Sequence, residues 1–271
     1  MQDITEKIIE IITANFPNGI RDDFIDTNKI LRIYSANHAD KNISRDFIAD
    51  VIRTNGIENG GRFYFTSNDN AEDIKRFIDE ILSAHAIAYY CAVHEKHADF
   101  FAAMHVFSPD VLKKILQTVV GGHFYFEEFC AAKRTTRLDY EISKIFMATE
   151  MPLSLDDLQS KLPYVPAEKI SAVLSNAKKF LPTIEGKFCS VSKIQFDIDE
   201  IDAAKQQIIS AINANGYAAP DDYNLASNFA FNPDLAERIL RNAIYEKFFS
   251  DEFIKRGKRL FKSKYRRRRK F

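Results

Sequence analysis

A short aromatic string recurs along this chain at a nearly constant interval, and this recurrence limits the fold more than any other feature. In the four strings, at 61–65, 122–126, 186–190 and 246–250, the first phenylalanines are Phe63, Phe124, Phe188 and Phe248. A nearly constant spacing of this kind indicates a small structural module that the chain repeats. In the first three strings a glycine precedes residues with β propensity, which predicts a tight turn leading into a strand.

A capped helix is predicted before each string. The four predicted starts are at Ser44, Ser108, Pro166 and the Asn232-Pro233-Asp234 sequence. Serine and asparagine can cap the free N–H groups of a helix, and proline suits its first position. Two helical turns later come paired apolar residues, which are expected on the core side. The pairs are Val51/Ile52, Ile115/Leu116, Val173/Leu174 and Ile239/Leu240.

Two more helices are predicted in front of each capped helix. The first is amphipathic, with apolar residues at helical spacing; they include Ile4, Ile8, Ile74, Ile78, Ile142, Ile145, Ile201 and Ile208. The second is a shorter helical pattern in residues 26–36, 88–98, 155–162 and 221–227. The predicted order is therefore helix, helix, capped helix, turn and strand. This order predicts a mainly α fold with short β wings.

This order of elements resembles the winged-helix family of the helix-turn-helix superfamily. The resemblance implies four tandem winged-helix-like units at 1–66, 71–130, 136–196 and 198–255, followed by a basic C-terminal tail at 256–271. It also implies that the third helix and the hairpin after it form the recognition surface. Only one strand is evident in each copy, and the fourth string lacks the turn glycine, so its wing is in doubt. A solenoid of duplicated helical units, with no role in reading a groove, is the alternative.

The charge of the chain is concentrated at its C-terminal end. The whole sequence has 38 basic and 38 acidic residues, but residues 255–271 contain eleven Lys or Arg and no acid. Residues 1–254 therefore have 27 basic and 38 acidic residues, a net charge of −11. Such a tail fits nucleic-acid phosphates, an anionic membrane surface or an acidic protein. Nucleic acid is favoured because the winged-helix resemblance points the same way; a tail folded back on the acidic body is the alternative.

The predicted nucleic-acid-binding residues come from the second and third copies and from the tail. In the copies they are Lys113, Lys114, Gln117, Lys169, Asn176, Lys178, Lys179 and Lys187. In the tail they are Lys255, Arg256, Lys258, Arg259, Lys262, Lys264, Arg266, Arg267, Arg268 and Arg269. The first and fourth copies rank lower because acids accompany their cations, as Glu237 accompanies Arg238 and Arg241. The rings of Phe261, Tyr265 and Phe271 could stack on bases.

Candidate catalytic and metal-binding residues favour a structural interpretation. Cys91, His94 and His97 share one helical face, and zinc accepts such ligands, but a buried structural cysteine with surface histidines is preferred. The acid pairs 22–23, 156–157 and 221–222 lie near predicted helix starts, where acids complement the helix dipole. The sequence contains no phosphate-binding glycine loop, dinucleotide fingerprint or nucleophile elbow. We therefore predict no enzyme activity, no metal and no cofactor.

The remaining features bear on location and function. The longest apolar run, residues 86–93, is too short for a membrane span. The acidic N-terminus does not fit a signal peptide, and three scattered cysteines do not form a disulfide framework, so the cytoplasm is expected. The function predicted is nucleic-acid binding, with DNA favoured over RNA. The alternative is a protein–protein docking scaffold in a transcription or DNA-processing assembly.

Overall fold

The computed structural model describes residues 2–38, 43–118, 123–176 and 178–263. The chain is mainly helical, with small antiparallel sheets. It packs as two compact bodies, one formed by Met1–Arg137 with Leu162–Pro166 and the other by Leu138–Lys161 with Ala167–Phe271. In the described parts of the chain, the helices are too short or too polar to cross a membrane.

The first body begins with three helices and a hairpin. They are α1 (Gln2–Asn15), α2 (Phe24–Asn37), α3 (Arg45–Asn55), β1 (Ile57–Asn59) and β2 (Arg62–Tyr64). Asp23 caps α2, and the Ser44 side chain accepts a hydrogen bond from the Phe47 N–H at the start of α3. The helices enclose an isoleucine-rich core that includes Ile8, Ile30 and Ile52. The capped helix at Ser44 is therefore confirmed.

The rest of the first body adds a three-stranded sheet. Its elements are α4 (Asn68–Ala84), β3 (Ile87–Tyr89), α5 (Tyr90–Lys96), α6 (Ala98–Ala103), α7 (Pro109–Thr118), β4 (Phe124–Tyr125) and β5 (Phe129–Ala131). The strand order is β3-β5-β4. The prediction of one helix over 88–98 is wrong at its start, because Ala88 pairs with Cys130 in this sheet. Ser108 caps α7 as predicted, through the Val111 N–H.

The second body contains two successive sets of helices, each followed by a hairpin. The first set is α8 (Leu138–Ala148), α9 (Leu155–Lys161), α10 (Ala167–Leu174), β6 (Phe180–Pro182) and β7 (Phe188–Ser190). The second set is α11 (Ile198–Asn215), α12 (Ala226–Phe231), α13 (Glu237–Ile244), a π-helical segment (Tyr245–Phe249), β8 (Phe253–Arg256) and β9 (Arg259–Lys262). Short 3-10 turns cover Val191–Lys193 and Pro220–Asp222.

Helix α13 begins later than the sequence predicts. Asn232 closes α12 through its own N–H, and its side chain accepts from Gln195 N–H and donates to Gln195 O. Since these bonds occupy Asn232, it does not cap a new helix. The chain passes through a turn, and α13 starts at Glu237.

The four aromatic strings do not occupy equivalent positions. Phe63 lies in β2 and Phe188 in β7, each in the second strand of its hairpin, whereas Phe124 lies in the first strand of its hairpin. Phe248 lies in the π-helical segment, outside any strand. The alignment therefore holds for Phe63 and Phe188 and is wrong for Phe124 and Phe248.

The fourth hairpin is present although its wing was in doubt. Strands β8 and β9 pair over their whole lengths, from Phe253↔Lys262 to Arg256↔Arg259. The turn glycine is Gly257, whose φ of 59° is in the left-handed region. This glycine was missed because it follows Phe248 in the chain instead of preceding it. Two strands occur in each of the four hairpins, where the sequence showed one.

Backbone bridges join the segments that follow helices α1, α8 and α11 to the second strand of the hairpin that comes after each of these helices. Ile20 pairs with Phe63, Leu153 with Phe188, and Ala218 with Leu260. In the β3-β5-β4 sheet, β3 pairs with β5 in the same way. All four hairpins are thus extended by a third stretch of backbone on the same edge.

The recurrent acid pairs serve helix starts, as predicted. Asp23 accepts from two N–H groups of α2, at 3.0 and 2.9 Å. Asp157 accepts from the Ser154 N–H at 2.8 Å, and Asp222 accepts from the Ala219 N–H at 2.6 Å. Each pair therefore has one member that holds the backbone at or beside the first turn of a helix.

Candidate nucleic-acid interface

Helix α13 buries one side and exposes cations on the other. Leu240 and Ile244 are buried in the core of the second body. Arg238 and Asn242 are exposed, and Arg241 is half-buried. This division follows from helical spacing, since residues 240 and 244 are one turn apart. The polar side of α13 is therefore available to a ligand.

We call strands β8 and β9, with the turn between them, the basic hairpin (residues 253–262). Its apolar anchors are Phe253 and Leu260, which are 2% and 3% exposed. The hairpin contains five cations and no acid: Lys255, Arg256, Lys258, Arg259 and Lys262. Because a strand buries alternate residues, Leu260 packs in the core while the cations of the hairpin stay exposed.

A groove of about 580 Å³ lies between α13 and the basic hairpin. We call it the inner groove; its lining includes Tyr223, Arg238, Arg241, Asn242, Tyr245, Lys255 and Lys258. Four of these seven side chains are cationic, and the acid Glu237 also lines the groove. Two tyrosine rings and an amide complete the wall. Such a lining suits an anionic ligand that also has flat or hydrogen-bonding groups.

Tyr245 fixes the hairpin against the end of α13. Its hydroxyl donates to Phe253 O at 3.1 Å and accepts from the Lys255 N–H at 3.1 Å. The Lys255 ammonium donates to the Asn242 side-chain oxygen and lies 5.6 Å from the Tyr245 ring centre. Burial lowers the pKa of Lys255. The charge of Glu246 acts to raise this pKa, and the charge of Arg238 acts to lower it. An anion bound in the groove would stabilise the charged form of Lys255 and so offset the effect of burial on its pKa.

Arg241 is held in a fixed orientation by an acid and two rings. Its Nε donates to the Glu237 carboxylate at 2.7 Å. The guanidinium carbon lies 5.3 Å from the Tyr223 ring centre and 5.0 Å from that of Phe229. Burial raises the pKa of Tyr223, so its hydroxyl stays protonated at neutral pH. Arg241 is therefore a preset element of the groove wall and not a freely moving side chain.

The opposite side of the basic hairpin consists of arginines and rings. Strand alternation places Ile254, Arg256, Arg259 and Phe261 together, and we call this set the outer face. The Arg256 guanidinium lies 5.6 Å from the Phe261 ring centre, and that of Arg259 lies 4.2 Å from Tyr217. The rings of Tyr217 and Phe261 are 6.3 Å apart. The outer face thus continues without interruption into Tyr217.

Charge distinguishes the basic hairpin from the other three hairpins. Residues 57–64 contain one acid and one base, and so do residues 180–190. Residues 124–131 contain two acids and no base. Residues 253–262 have a net charge of +5. Since nonspecific affinity for nucleic acid comes mainly from cation–phosphate contacts, the basic hairpin is the strongest candidate among the four.

Four of the predicted lysines of the second and third copies have partners within the chain. Lys113 contacts Glu127 at 2.7 Å and is 16% exposed. Lys114 donates to Glu58 O, Lys179 contacts Asp139 at 2.6 Å, and Lys187 contacts Glu185 at 3.0 Å. These contacts reduce the net charge that the lysines present to a ligand. Their part in binding remains a prediction.

The other predicted site residues are placed as follows. Gln117, Asn176 and Lys178 are exposed, and Lys169 is half-buried. The Asn176 side-chain oxygen accepts from the Lys178 N–H at 3.2 Å, which holds the turn after α10. The tail residues Lys255, Arg256, Lys258, Arg259 and Lys262 are brought together in the basic hairpin. Lys264, Arg266, Arg267, Arg268 and Arg269 lie outside the described residues.

Two histidines of the histidine-rich segment contact other groups of the chain. His94 Nε2 lies 2.9 Å from Val106 O, and His97 Nε2 lies 3.0 Å from the Tyr164 hydroxyl. Cys91 is exposed, which corrects the expectation that it is buried; the buried cysteine is Cys130. Within the described residues, no group of three or more His, Cys, Asp or Glu side chains is arranged to hold a metal ion.

Several residues of the inner groove and the outer face were ranked low or missed in the sequence analysis. Arg238 and Arg241 were recognised on the predicted helix but ranked low because Glu237 is close in sequence. In the structure, Arg241 Nε donates a hydrogen bond to the Glu237 carboxylate, and this bond orients Arg241. The tyrosines at 217, 223 and 245 gave no signal, because their pairing with cations depends on contacts between separate elements of the chain. The five hairpin cations were recognised, but as a tail.

No family model matches the chain, and no curated protein matches it. One similar solved structure is described as the crystal structure of bacterial selenocysteine-specific elongation factor EF-Sec, at 14% sequence identity and a TM-score of 0.33. The match covers 93% of this chain and 37% of that chain. The chain thus spans little more than a third of the length of that factor.

Proposed function

We propose that the chain is a non-enzymatic nucleic-acid-binding protein and that the inner groove and the basic hairpin are its main contact surface. The observation that carries the proposal is the hairpin charge of +5, together with a groove that is lined by Lys255 and Lys258 of the hairpin and by Arg238 and Arg241 of α13. A helix and a hairpin that share one cationic concavity can follow a phosphate backbone. The cations beyond Ser263 would add to the same electrostatic attraction.

The architecture supports a finer proposal, that the chain consists of four tandem winged-helix units. Helices are followed by a hairpin four times, and each hairpin is joined along its second strand by backbone from after the opening helix. In this proposal α13 corresponds to the recognition helix of the fourth unit and the basic hairpin to its wing. DNA is the favoured ligand, because winged helices are built to contact a groove.

A second candidate function is protein docking by the other units. Lys113, Lys114, Lys179 and Lys187 are paired with acids or backbone, which weakens the argument for phosphate contacts there. The second body also exposes large apolar side chains, among them Tyr140, Met147 and Met151. Contact with another protein is favoured where such side chains form one contiguous patch. In this view the basic hairpin anchors a scaffold to nucleic acid.

The experiment that tests the main proposal measures salt-dependent affinity. A labelled duplex of about 24 base pairs is titrated with the full chain between about 50 and 300 mM salt. The variant replaces Lys255, Arg256, Lys258, Arg259 and Lys262 with Gln. Each lost phosphate contact reduces the log–log salt slope by about 0.9, so five contacts predict a decrease of up to about 4.5.

The matched control removes the same charge elsewhere. It replaces five other predicted residues, Lys114, Lys169, Lys178, Lys179 and Lys187, with Gln. We expect this control to keep most of the slope. A larger loss in the control than in the hairpin variant would transfer the contacts to the second and third units. A third variant, truncated after Ser263, keeps both strands and isolates the effect of the six cations beyond them.

A further inference from the structure

The cations of the basic hairpin are sorted by type between its two sides. Lys255 and Lys262 lie on the inner side with the buried Phe253 and Leu260. Arg256 and Arg259 lie on the outer face. Lysine presents a compact point charge, whereas arginine presents a planar group that can stack and donate in its plane at the same time. The two sides therefore offer different chemistry to a ligand.

The outer face is organised for stacking. Arg259 packs on Tyr217, Arg256 packs on Phe261, and the two rings adjoin. Both arginines are exposed, and both rings are half-buried. A guanidinium that is already stacked on a ring loses little further freedom when a second flat group stacks nearby.

The location of the arginines also disfavours an unliganded state. Arg256 and Arg259 are direct cross-strand partners beside the turn. Like charges directly opposite on a hairpin are destabilising. A ligand that brings both negative charge and flat rings would relieve the repulsion and use the stacking surface together.

We propose that the outer face binds unpaired nucleotides, so that the chain prefers single-stranded over duplex nucleic acid. This inference rests on the proposed function. Bases in a duplex are stacked on each other and present mainly phosphates at the surface, whereas unpaired bases expose their rings. Phosphates of the strand would contact the arginine edges and the inner lysines, and the bases would stack on the rings and guanidinium planes.

The test separates stacking from charge. The variant carries Arg256→Lys and Arg259→Lys, which keeps the charge but removes the planar groups. The matched control carries Arg76→Lys and Arg134→Lys, two exposed arginines outside the interface. Affinity is measured for a mixed-sequence DNA strand, for its duplex, and for an abasic strand that has the same phosphates without bases.

We expect the unsubstituted chain to bind the intact strand more tightly than the duplex or the abasic strand. The hairpin variant should lose about tenfold in affinity for the intact strand and less than about twofold for the abasic strand and the duplex. The control should lose nothing on any of the three. Because charge is conserved, the salt slopes of all the proteins should agree.

Several results would overturn the inference in different ways. No loss on the intact strand would show that the arginines act only as charges, and equal losses on intact and abasic strands would show that their planar groups contact phosphates and not bases. A duplex bound at least as tightly as the strand would contradict the preference for unpaired nucleotides. The proposed function would then survive. Failure of the unsubstituted chain to bind any of the three ligands would overturn the proposed function and this inference together.

Discussion

Leu260→Ala tests whether the basic hairpin is a folded part of the second body. Leu260 is 3% exposed, and two backbone hydrogen bonds of 2.9 and 2.8 Å join it to Ala218. Replacement by alanine removes three carbon atoms, or about 2.4 kcal/mol of transfer free energy at about 0.8 kcal/mol per methylene. The cavity adds to this loss, and we expect the free energy of unfolding to fall by about 3 kcal/mol.

The assay is urea unfolding followed by circular dichroism. A body of this size has an m-value of about 2 kcal/mol per M, so the transition of the second body should move down by about 1.5 M. The matched control is Ile254→Ala on the outer face, where the side chain is 39% exposed and less of its area is lost from the core. We expect that control to cost less than about 1.5 kcal/mol.

Two results would contradict this anchoring: an equal shift of the midpoint by both substitutions, or a change of less than about 1 kcal/mol in the free energy of unfolding for Leu260→Ala. Either result would mean that the hairpin is not anchored in the core. The inner groove would then lack a fixed second wall, and the proposed interface would reduce to an unstructured basic tail.

Three further predictions concern other parts of the chain. Asp23→Ala removes the cap of α2 and should lower the free energy of unfolding of the first body by about 1 kcal/mol in a urea titration; an unchanged midpoint would contradict the capping role. Burial acts to raise the pKa of Glu200, but hydrogen bonds donated by residues 227 and 228 outweigh it and lower the pKa. The resulting stability is present above the ordinary value of about 4.3 and is lost as pH falls through the folded value, so Glu200→Gln should flatten the pH dependence of the melting temperature between about pH 5 and 3. Burial raises the pKa of Cys130 to about 12, so iodoacetamide at pH near 8 should alkylate the exposed Cys91 and leave Cys130 unmodified in the native protein, as read by mass spectrometry.

Local signals made part of the fold predictable. Ser44 and Ser108 cap helices where the sequence placed them, because a cap depends only on residues within one turn. The paired apolar residues Ile115 and Leu116 are buried for the same reason, since helical spacing decides which side they occupy. One acid of each recurrent pair also accepts a hydrogen bond from backbone at or beside the first turn of the nearest helix.

Strand positions were less predictable, because pairing joins residues that are far apart in the sequence. Ala88 belongs to a strand only because it pairs with Cys130. The apolar pattern around Ala88 by itself predicts a helix. Asn232 resembles a helix cap until its bonds to Gln195 are seen. Phe248 matches the other strings in spacing, but tertiary packing leaves it in a π-helical segment.

The sequence by itself determined the mainly helical character, the caps at Ser44 and Ser108 and the concentration of positive charge near the C-terminus, since spacing and charge are properties of neighbouring residues. Only the tertiary structure decided that part of this charge lies on a hairpin, with lysines on one side and arginines on the other. Leu260 is buried against α11, a helix much earlier in the chain. This burial decides which side of the hairpin faces the core, and strand alternation then places each neighbouring residue on the inner side or the outer face. That burial is a long-range contact, and no local pattern encodes it.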